Sequence, residues 1–149
     1  MSLNYSYPQV VLAEVPGEIS LALSVSGCPL RCKGCHSTFT YDAQYGSPLT
    51  KQAIESHLNK HITCVLFYGG EWQSMELLTL LEYCKELGLK TCLYTGYELD
   101  FIPNQLLQLL DYIKVGNFNP VLGGLESPTT NQRFYYLTNG IVANEHKFY

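Results

Sequence analysis

Apolar runs suited to buried strands alternate with amphipathic helical segments through the middle of this sequence. The strand runs are ISLALSVSG at 19–27, ITCVLFY at 62–68, LKTCLYT at 89–95 and YIKV at 112–115. The run ITCVLFY is continuous and apolar, which is typical of a strand buried on both faces of a parallel sheet. Strands that alternate with helices predict repeated βα units and therefore a mostly parallel sheet.

Start and stop signals frame the helical segments between these strands. Thr50 is placed to cap the first helix, because a threonine oxygen accepts a hydrogen bond from an N–H of the first turn. Ser74 is expected to cap the second helix, Gly88 to end it, and Pro103 to open the third. The second helix carries an apolar stripe formed by Leu77, Leu80, Leu81, Cys84 and Leu87. We expect this stripe to lie in the core.

The pattern changes after Gly116. NFNPVLGGLESPTTNQ indicates a loop, and RFYYLTNGIV indicates two short strands joined at Asn139-Gly140, a strong hairpin signal. At roughly 30 residues per βαβ unit, too little chain remains for a complete barrel, so the sheet should stay open on one side. We expect an α/β fold in a single domain over residues 1–149, with a βα core at about 19–116 and a C-terminal loop and hairpin at 117–149.

Composition and charge narrow the function classes. The chain has a formal net charge of −4 and no basic run, whereas a nucleic-acid binder needs lysines and arginines to neutralise phosphates. No apolar run approaches the ~18 residues of a membrane span, and no secretory signal is visible. Six cysteines without such a signal suggest the reducing cytoplasm, where thiols are more often metal ligands or catalytic groups than disulfides. We therefore expect a cytoplasmic protein that binds neither nucleic acid nor a membrane.

Half of the six cysteines crowd into one short segment. Cys28, Cys32 and Cys35 follow the first predicted strand with C-x3-C-x2-C spacing. Thiolates select zinc, copper(I) or iron–sulfur clusters. A cubane [4Fe–4S] cluster normally takes four thiolates, so three would leave one iron open to a substrate. The alternative is a zinc site completed by His36 or a distant ligand.

Three polar or glycine-rich features follow the predicted strands. They are the cysteine segment, Gly69-Gly70-Glu71 and Thr95-Gly96. In open α/β sheets, ligands bind outside the carboxyl ends of the strands. Because the carboxyl ends of parallel strands meet at one edge, we expect these features to lie close together in space.

The sequence also resembles a known family. SGCPLRCKGCHS matches the signature of radical S-adenosylmethionine enzymes, and YGGEW resembles their second motif. Together with YTGYELD and PTTNQRF, in that order and in so short a chain, these motifs resemble the activating enzymes of anaerobic ribonucleoside-triphosphate reductase. The resemblance covers about residues 19 to 137 and implies a truncated, open radical-S-adenosylmethionine partial barrel.

The resemblance implies a site and a reaction. The cluster ligands would be Cys28, Cys32 and Cys35, with S-adenosylmethionine on the fourth iron. The cofactor contacts would come from Gly34, Cys35 and His36 beside the adenine and from Gly69, Gly70 and Glu71 beside the methionine group. Reductive cleavage would give a 5′-deoxyadenosyl radical, which would form a glycyl radical on the large subunit of the reductase. An electron donor such as flavodoxin is implied as a second partner.

This chain departs from the family pattern after its fourth strand. Many relatives carry an aspartate and a lysine around the glycine there, where this chain has Val115 and Asn117. Lys114 is nearby, but its side chain is expected on the opposite face from Val115. Two alternatives therefore stay open: another radical-S-adenosylmethionine enzyme that acts on a small molecule, and a non-catalytic metal-bound scaffold.

Two further features have competing interpretations. The remaining cysteines occupy apolar positions and are expected to be inert buried thiols, namely Cys64, Cys84 and Cys92. The polar segment SPTTNQRF either covers the sheet edge or helps to recognise the reductase.

Overall fold

The computed structural model describes residues 3–29 and 42–149. The predicted site residues Cys32, Gly34, Cys35 and His36 lie outside these ranges, and Cys28 lies inside them.

Strands and helices alternate through the centre of the chain as predicted. The strands are β1 Asn4–Val11, β2 Ser20–Val25, β3 Ser47–Pro48, β4 Cys64–Tyr68, β5 Lys90–Tyr94, β6 Tyr112–Val115, β7 Arg133–Thr138 and β8 Ile141–His146. The helices are α1 Lys51–His57, α2 Ser74–Glu86 and α3 Asn104–Leu109. Short 3₁₀ turns cover Glu71–Gln73 and Leu99–Phe101.

Within the described ranges, these strands form one sheet in the order β3-β1-β2-β4-β5-β6-β7-β8. The four central strands, β2, β4, β5 and β6, are parallel. The hairpin of β7 and β8 extends the sheet antiparallel on one side. The prediction of an α/β fold with a parallel centre and a C-terminal hairpin is confirmed.

Strand β1, which was not predicted, extends the sheet antiparallel on the other side of β2. Its sequence is a poor strand signal because Pro8 interrupts it and half of its side chains are exposed. The pairing register shifts between Ser6 and Gln9, and Tyr7 adopts a positive φ of 50°. The strand is therefore bent, and tertiary pairing with β2 stabilises what local sequence does not favour.

The main core lies between the helices and one face of the sheet. Leu77, Leu81 and Cys84 of α2 are fully buried there, and burial of each leucine contributes roughly 2–3 kcal/mol. Leu87, which was predicted to belong to the same stripe, is 45% exposed. It is the C-cap residue of α2, so the chain has already begun to leave the helical path.

The predicted helix signals are confirmed at Thr50 and Gly88 and wrong at Ser74. The Thr50 side chain accepts from the N–H of Ala53 at 3.0 Å, and Gly88 ends α2 with φ +78°. Ser74 is the first residue of α2 rather than its cap. The residue before the helix is Gln73, which has a non-helical backbone with φ −119° and ψ 68° and makes no capping hydrogen bond through its side chain.

A smaller apolar cluster covers the opposite face of the sheet, where Ala22, Leu66 and Phe134 are fully buried. Cys64 and Cys92 are fully buried in the same cluster. Burial raises the pKa of the Cys64 and Cys84 thiols to about 12 and raises the pKa of Cys92 well above its usual value. The prediction of inert buried thiols is confirmed, because a protonated thiol is neither a nucleophile nor a ligand.

The loop at 117–132 is held by its own side chains. The hydroxyls of Ser127 and Thr129 donate to the carbonyl of Leu122 at 2.8 and 2.7 Å. The amide of Gln132 donates to the carbonyl of Gly116 at 3.3 Å, which fastens the loop to the end of β6. The polar segment SPTTNQRF thus secures the loop to the sheet edge.

The hairpin turn offers a test of local backbone strain. Gly140 has φ +82°, and a Cβ there would stand 3.1 Å from Cγ of Gln108. We expect Gly140→Ala to lower the free energy of unfolding by at least about 1–2 kcal/mol, the cost of a left-handed conformation for a residue with a Cβ. Urea unfolding monitored by circular dichroism measures the change.

Gly88→Ala is the matched control, because Gly88 has φ +78° and a Cβ there would meet no atom within 4 Å. Backbone strain alone should therefore make the Gly88 variant the milder of the two. Equal losses would mean that the contact with α3 has no role at Gly140.

Candidate functional site

The carboxyl ends of β2, β4 and β5 lie at one level of the sheet. Ser24 pairs with Tyr68, and Tyr68 pairs with Tyr94, so the three strands end together. The chain then continues into Gly27-Cys28, Gly69-Gly70-Glu71 and Thr95. The predicted convergence of these segments is confirmed for the residues that the structure describes.

Cys28 is partly exposed just beyond the end of β2. Burial raises the pKa of Tyr97, and the nearby charges of Glu71 and Cys28 raise it further. The backbone before the cysteine lies close to Trp72, since a Cβ on Gly27 would stand 3.1 Å from Nε1 of the indole. The first predicted ligand therefore lies on the same side of the sheet as the glycine turn.

Both glycines after β4 need their missing side chains. Gly69 and Gly70 have φ of +97° and +110°, a region that favours glycine. A Cβ on Gly69 would stand 2.4 Å from Cη2 of Trp72, so the indole ring closes over this residue. On Gly70, a Cβ would face apolar core side chains, with Leu3 nearest at 3.5 Å. The pair thus forms a compact turn that delivers Glu71 to the edge of the sheet.

Glu71 is a buried carboxylate that is only half satisfied. Its side chain is 8% exposed, and Oε1 accepts a hydrogen bond from the Thr95 hydroxyl at 2.9 Å. Oε2 is buried without a hydrogen-bond partner among the residues that the structure describes. Burial raises the pKa of Glu71 to about 6, against the opposing hydrogen bond from Thr95 and the positive charge of Lys114. An unsatisfied buried oxygen is costly, and a ligand that supplies a donor or positive charge would remove that cost.

Lys114 reaches this edge from the face opposite Val115. Its Nζ donates to the carbonyl of Thr95 at 2.9 Å and lies 5.6 Å from the ring centre of Tyr94. Val115 is 2% exposed in the helix-side core, and Asn117 is exposed beyond the strand. The predicted alternation of faces is confirmed. Lys114 therefore supplies the positive charge nearest Glu71 among the groups that influence its pKa.

A cavity of about 500 Å³ opens on the sheet face that the helices leave uncovered. Its wall combines residues of the sheet, of the loop at 117–132 and of the C-terminal segment. The lining residues include Glu14, Tyr94, Lys114, Phe118, Glu126 and Phe148. The sequence analysis did not foresee this cavity, because its wall joins segments that are more than 100 residues apart.

Within residues 3–29 and 42–149, no three histidine, cysteine or acidic side chains are grouped to hold a metal ion. Cys28 is the one predicted cluster ligand in those ranges. The roles predicted for Cys32 and Cys35 as ligands, and for Gly34 and His36 as cofactor contacts, therefore stay predictions. In the same described part of the chain, no helix is long and apolar enough to cross a bilayer.

Comparison with known proteins supports the motif analysis. Residues 15–131 match the family described as a 4Fe-4S single cluster domain. The chain belongs to this 4Fe-4S single cluster domain family. The match spans the cysteine segment, the glycine turn with Glu71, and most of the loop at 117–132. An iron–sulfur centre is therefore favoured over the zinc alternative for the three cysteines.

Three relatives show which members of the 4Fe-4S family this chain is similar to. The pyruvate formate-lyase-activating enzyme of Clostridium pasteurianum is 31% identical over 65% of this chain, which spans 44% of that protein. The anaerobic ribonucleoside-triphosphate reductase-activating protein of Enterobacteria phage T4 is 28% identical, over 81% of this chain and 86% of that protein. The protein of the same name from Salmonella typhimurium is 28% identical, over 74% and 79%. The predicted resemblance is confirmed, and the enzyme class predicted from it agrees with all three names.

The burial of Glu71 predicts a pH-dependent stability. Its pKa rises from 4.5 in the unfolded chain to about 6 in the folded one, so the folded state favours the protonated acid. The resulting penalty appears as the pH rises through 4.5 and is complete above about 6, where it amounts to about 2 kcal/mol. Glu71→Gln should therefore be more stable than the wild type above pH 6, and this advantage should shrink as the pH falls.

Urea unfolding across that pH range measures the difference between the two proteins. Glu82→Gln, an exposed change on α2, is the control and should show no comparable pH dependence. A Glu71→Gln advantage that is independent of pH would contradict the assignment of a raised pKa to this side chain.

Proposed function

We propose that this chain is a radical-S-adenosylmethionine activase that forms a glycyl radical on the large subunit of anaerobic ribonucleoside-triphosphate reductase. Cys28, Cys32 and Cys35 would bind a [4Fe–4S] cluster and leave one iron for the cofactor. The observation that carries the proposal is a partly exposed Cys28 at the same sheet edge as the buried, half-satisfied Glu71. The family match and the names of the relatives support it.

The chemistry at the edge suits the methionine end of S-adenosylmethionine. The cofactor carries an ammonium group, and Oε2 of Glu71 is a buried acceptor without a hydrogen-bond partner in the described part of the chain. Thr95 fixes the other oxygen of the same carboxylate at 2.9 Å, so Oε2 is held in one orientation. We infer that Glu71, with the backbone of Gly69 and Gly70, binds the amino group. An ammonium beside Glu71 would also favour the ionised carboxylate.

Each described residue has a role in positioning or in excluding water. When bound, the cluster and cofactor supply reductive carbon–sulfur cleavage and hydrogen-atom abstraction from a glycine. Trp72 covers Gly69 of the glycine turn and would limit the access of water to that turn. Lys114, held by the carbonyl of Thr95, would orient the polar groups of the cofactor that face β6. The residues Gly34, Cys35 and His36 are proposed to contact the adenine.

A protein substrate fits this fold better than a small molecule. The sheet has free ends at β3 and β8 within the described residues, and the cavity lies beside Tyr94 and Lys114. We infer that a segment of the reductase enters over this uncovered face. The loop at 117–132 would then form one wall of the entrance. An electron donor such as flavodoxin would reduce the cluster in a reducing cytoplasm, without any nucleic acid or membrane.

The direct test of the proposed function adds the large reductase subunit to the reaction. Reconstituted, reduced protein is mixed anaerobically with S-adenosylmethionine and the large reductase subunit. We expect 5′-deoxyadenosine to form together with a glycyl radical, seen by electron paramagnetic resonance on the large subunit. Cofactor cleavage without a glycyl radical, but with turnover of a small molecule, would favour the alternative of a small-molecule radical enzyme. No cleavage at all would favour the scaffold alternative.

Cysteine variants test the ligand assignment separately. Alanine at Cys28, Cys32 or Cys35 should abolish cofactor cleavage, because each change removes a thiolate from the cluster. Cys84→Ala is the control, since this thiol is fully buried against the helix-side core. Iron content and 5′-deoxyadenosine are measured for all four variants. Equal loss in all four would mean that the ligand assignment is wrong.

A further inference from the structure

Aromatic side chains form a continuous row on the sheet face that carries the cavity. The strand register places Tyr68 opposite Tyr94. Two residues earlier along the strands, it places Tyr112 opposite Tyr136. Phe134 lies between these two pairs, on β7. Side chains at paired positions point to the same face of a sheet, so the register alone brings these rings together.

The ring contacts link the row from β4 to β8. Tyr68 and Tyr94 meet edge to face with centroids 5.3 Å apart, and Tyr94 lies 6.2 Å from Phe134. Phe134 lies 6.0 Å from both Tyr112 and Tyr136, which are 5.6 Å from each other. The inner end of the row, Tyr68, directly precedes the glycine turn of the candidate site. The outer end reaches His146 on β8.

Two of these tyrosines also have a base beside the hydroxyl. Tyr112 donates to Oε2 of Glu18 at 2.5 Å, and the Tyr136 hydroxyl lies 3.2 Å from Nδ1 of His146. Burial raises the pKa of Tyr68, and the nearby negative charge of Glu14 raises it further. Burial also raises the pKa of Tyr112. At neutral pH Tyr68 and Tyr112 are therefore intact phenols.

The phenol–base pairing distinguishes this row from ordinary core packing. Filling an apolar sheet face requires rings but no hydroxyl groups, and a buried hydroxyl costs free energy unless it is paired. Here Glu18 is itself held by the hydroxyl of Thr63 at 2.6 Å, so the base that faces Tyr112 has a fixed position. An oxidised tyrosine must lose its proton, and a fixed base lets electron and proton leave together.

We propose that Tyr68, Tyr112 and Tyr136, joined by the rings of Tyr94 and Phe134, form a redox relay that carries an oxidising equivalent away from the candidate site. The proposal rests on the proposed function for its oxidant, a carbon-centred radical formed when no glycine is in place. Such a relay would discharge the radical at the protein surface instead of at the cofactor-binding residues.

The relay steps balance in electrons and protons. The carbon radical takes the hydrogen atom of the Tyr68 hydroxyl, so an O–H bond breaks and a C–H bond forms. Tyr112 then passes one electron to the Tyr68 radical and its proton to Glu18, and Tyr68 takes up a proton from water. Tyr136 next passes one electron to Tyr112 and its proton to Nδ1 of His146, while Glu18 returns its proton to Tyr112. His146 afterwards releases its proton to water. A soluble thiol finally gives a hydrogen atom to Tyr136 and becomes a thiyl radical.

Lys114 is compatible with this chemistry although it lies over the Tyr94 ring at 5.6 Å. A nearby cation disfavours a ring that carries positive charge. It has little effect on a neutral tyrosyl radical, because the proton has already left. Tyr94 donates to the backbone carbonyl of Glu14, which is a poor base. Its ring therefore serves as a bridge between Tyr68 and Phe134.

Photo-oxidation tests the relay without any cofactor. The full-length protein is irradiated with a soluble ruthenium tris-bipyridine complex and persulfate, and oxidised tyrosines are mapped by mass spectrometry. We expect oxidation at Tyr68 in the wild type and its loss in Tyr112→Phe. The matched control is Tyr83→Phe, because Tyr83 also donates to a glutamate, Glu55, at 2.9 Å but lies on α2 outside the row. The control should keep the oxidation at Tyr68.

Two results would overturn the relay. Unchanged oxidation of Tyr68 in Tyr112→Phe would mean that the oxidant reaches Tyr68 directly. Absence of oxidation at Tyr68 in the wild type would mean that the row does not conduct. Circular dichroism of each variant shows whether the fold is intact. If Tyr112→Phe does not fold, Tyr136→Phe takes its place with the same expected loss.

A second experiment separates the relay from the proposed function. The reconstituted, reduced protein is incubated with S-adenosylmethionine in the absence of the reductase. We expect a tyrosyl radical by electron paramagnetic resonance, narrowed by ring-deuterated tyrosine and lost in Tyr68→Phe, while 5′-deoxyadenosine still forms. If 5′-deoxyadenosine forms without any tyrosyl radical, the relay is wrong and the proposed function stands. If no 5′-deoxyadenosine forms, the proposed function fails and photo-oxidation decides the relay alone.

Discussion

The parallel register of β2, β4 and β5 is the constraint on which the rest of the structure depends. It brings three chain segments that are far apart in sequence to one edge of the sheet. The hydrogen bond between Thr95 and Glu71 then joins two of these segments directly. The same register, on the opposite face from the helices, aligns the aromatic row.

Glu71 is an energetically unfavourable feature at the edge of the sheet where the parallel strands end. The carboxylate is buried, and one of its oxygens has no hydrogen-bond partner among the described residues. Without a ligand, this burial lowers the stability of the folded protein. The glycine turn delivers Glu71 to the edge of the sheet, and the hydroxyl of Thr95 fixes its other oxygen. Such unsatisfied groups are typical of binding sites, where a ligand completes the hydrogen bonding. The unfavourable burial therefore falls on Glu71, which is also part of the sequence motif.

Much of the fold follows from local sequence, and the site follows only partly. The buried strands were predictable because their apolar runs are bounded by clear turn and cap residues. The hairpin was predictable because asparagine and glycine tolerate the positive φ that its turn requires, and Asn139 and Gly140 both adopt it. Strand β1 was not predictable, because Pro8 interrupts its strand pattern and its stability comes from pairing with β2. The sequence motif singled out Glu71, but its burial and its hydrogen bond with Thr95 depend on the tertiary structure. The cavity depends on contacts between distant segments and has no local signal.

The central claim is that three cysteines hold a cluster whose fourth iron is open to S-adenosylmethionine. Electron paramagnetic resonance of the anaerobically reconstituted, reduced protein tests it most directly, with and without the cofactor. The account predicts a [4Fe–4S]⁺ signal that shifts when S-adenosylmethionine is added, because the cofactor becomes a ligand of the open iron. A protein that takes up zinc in place of a cluster, or a cluster signal unchanged by the cofactor, would contradict it.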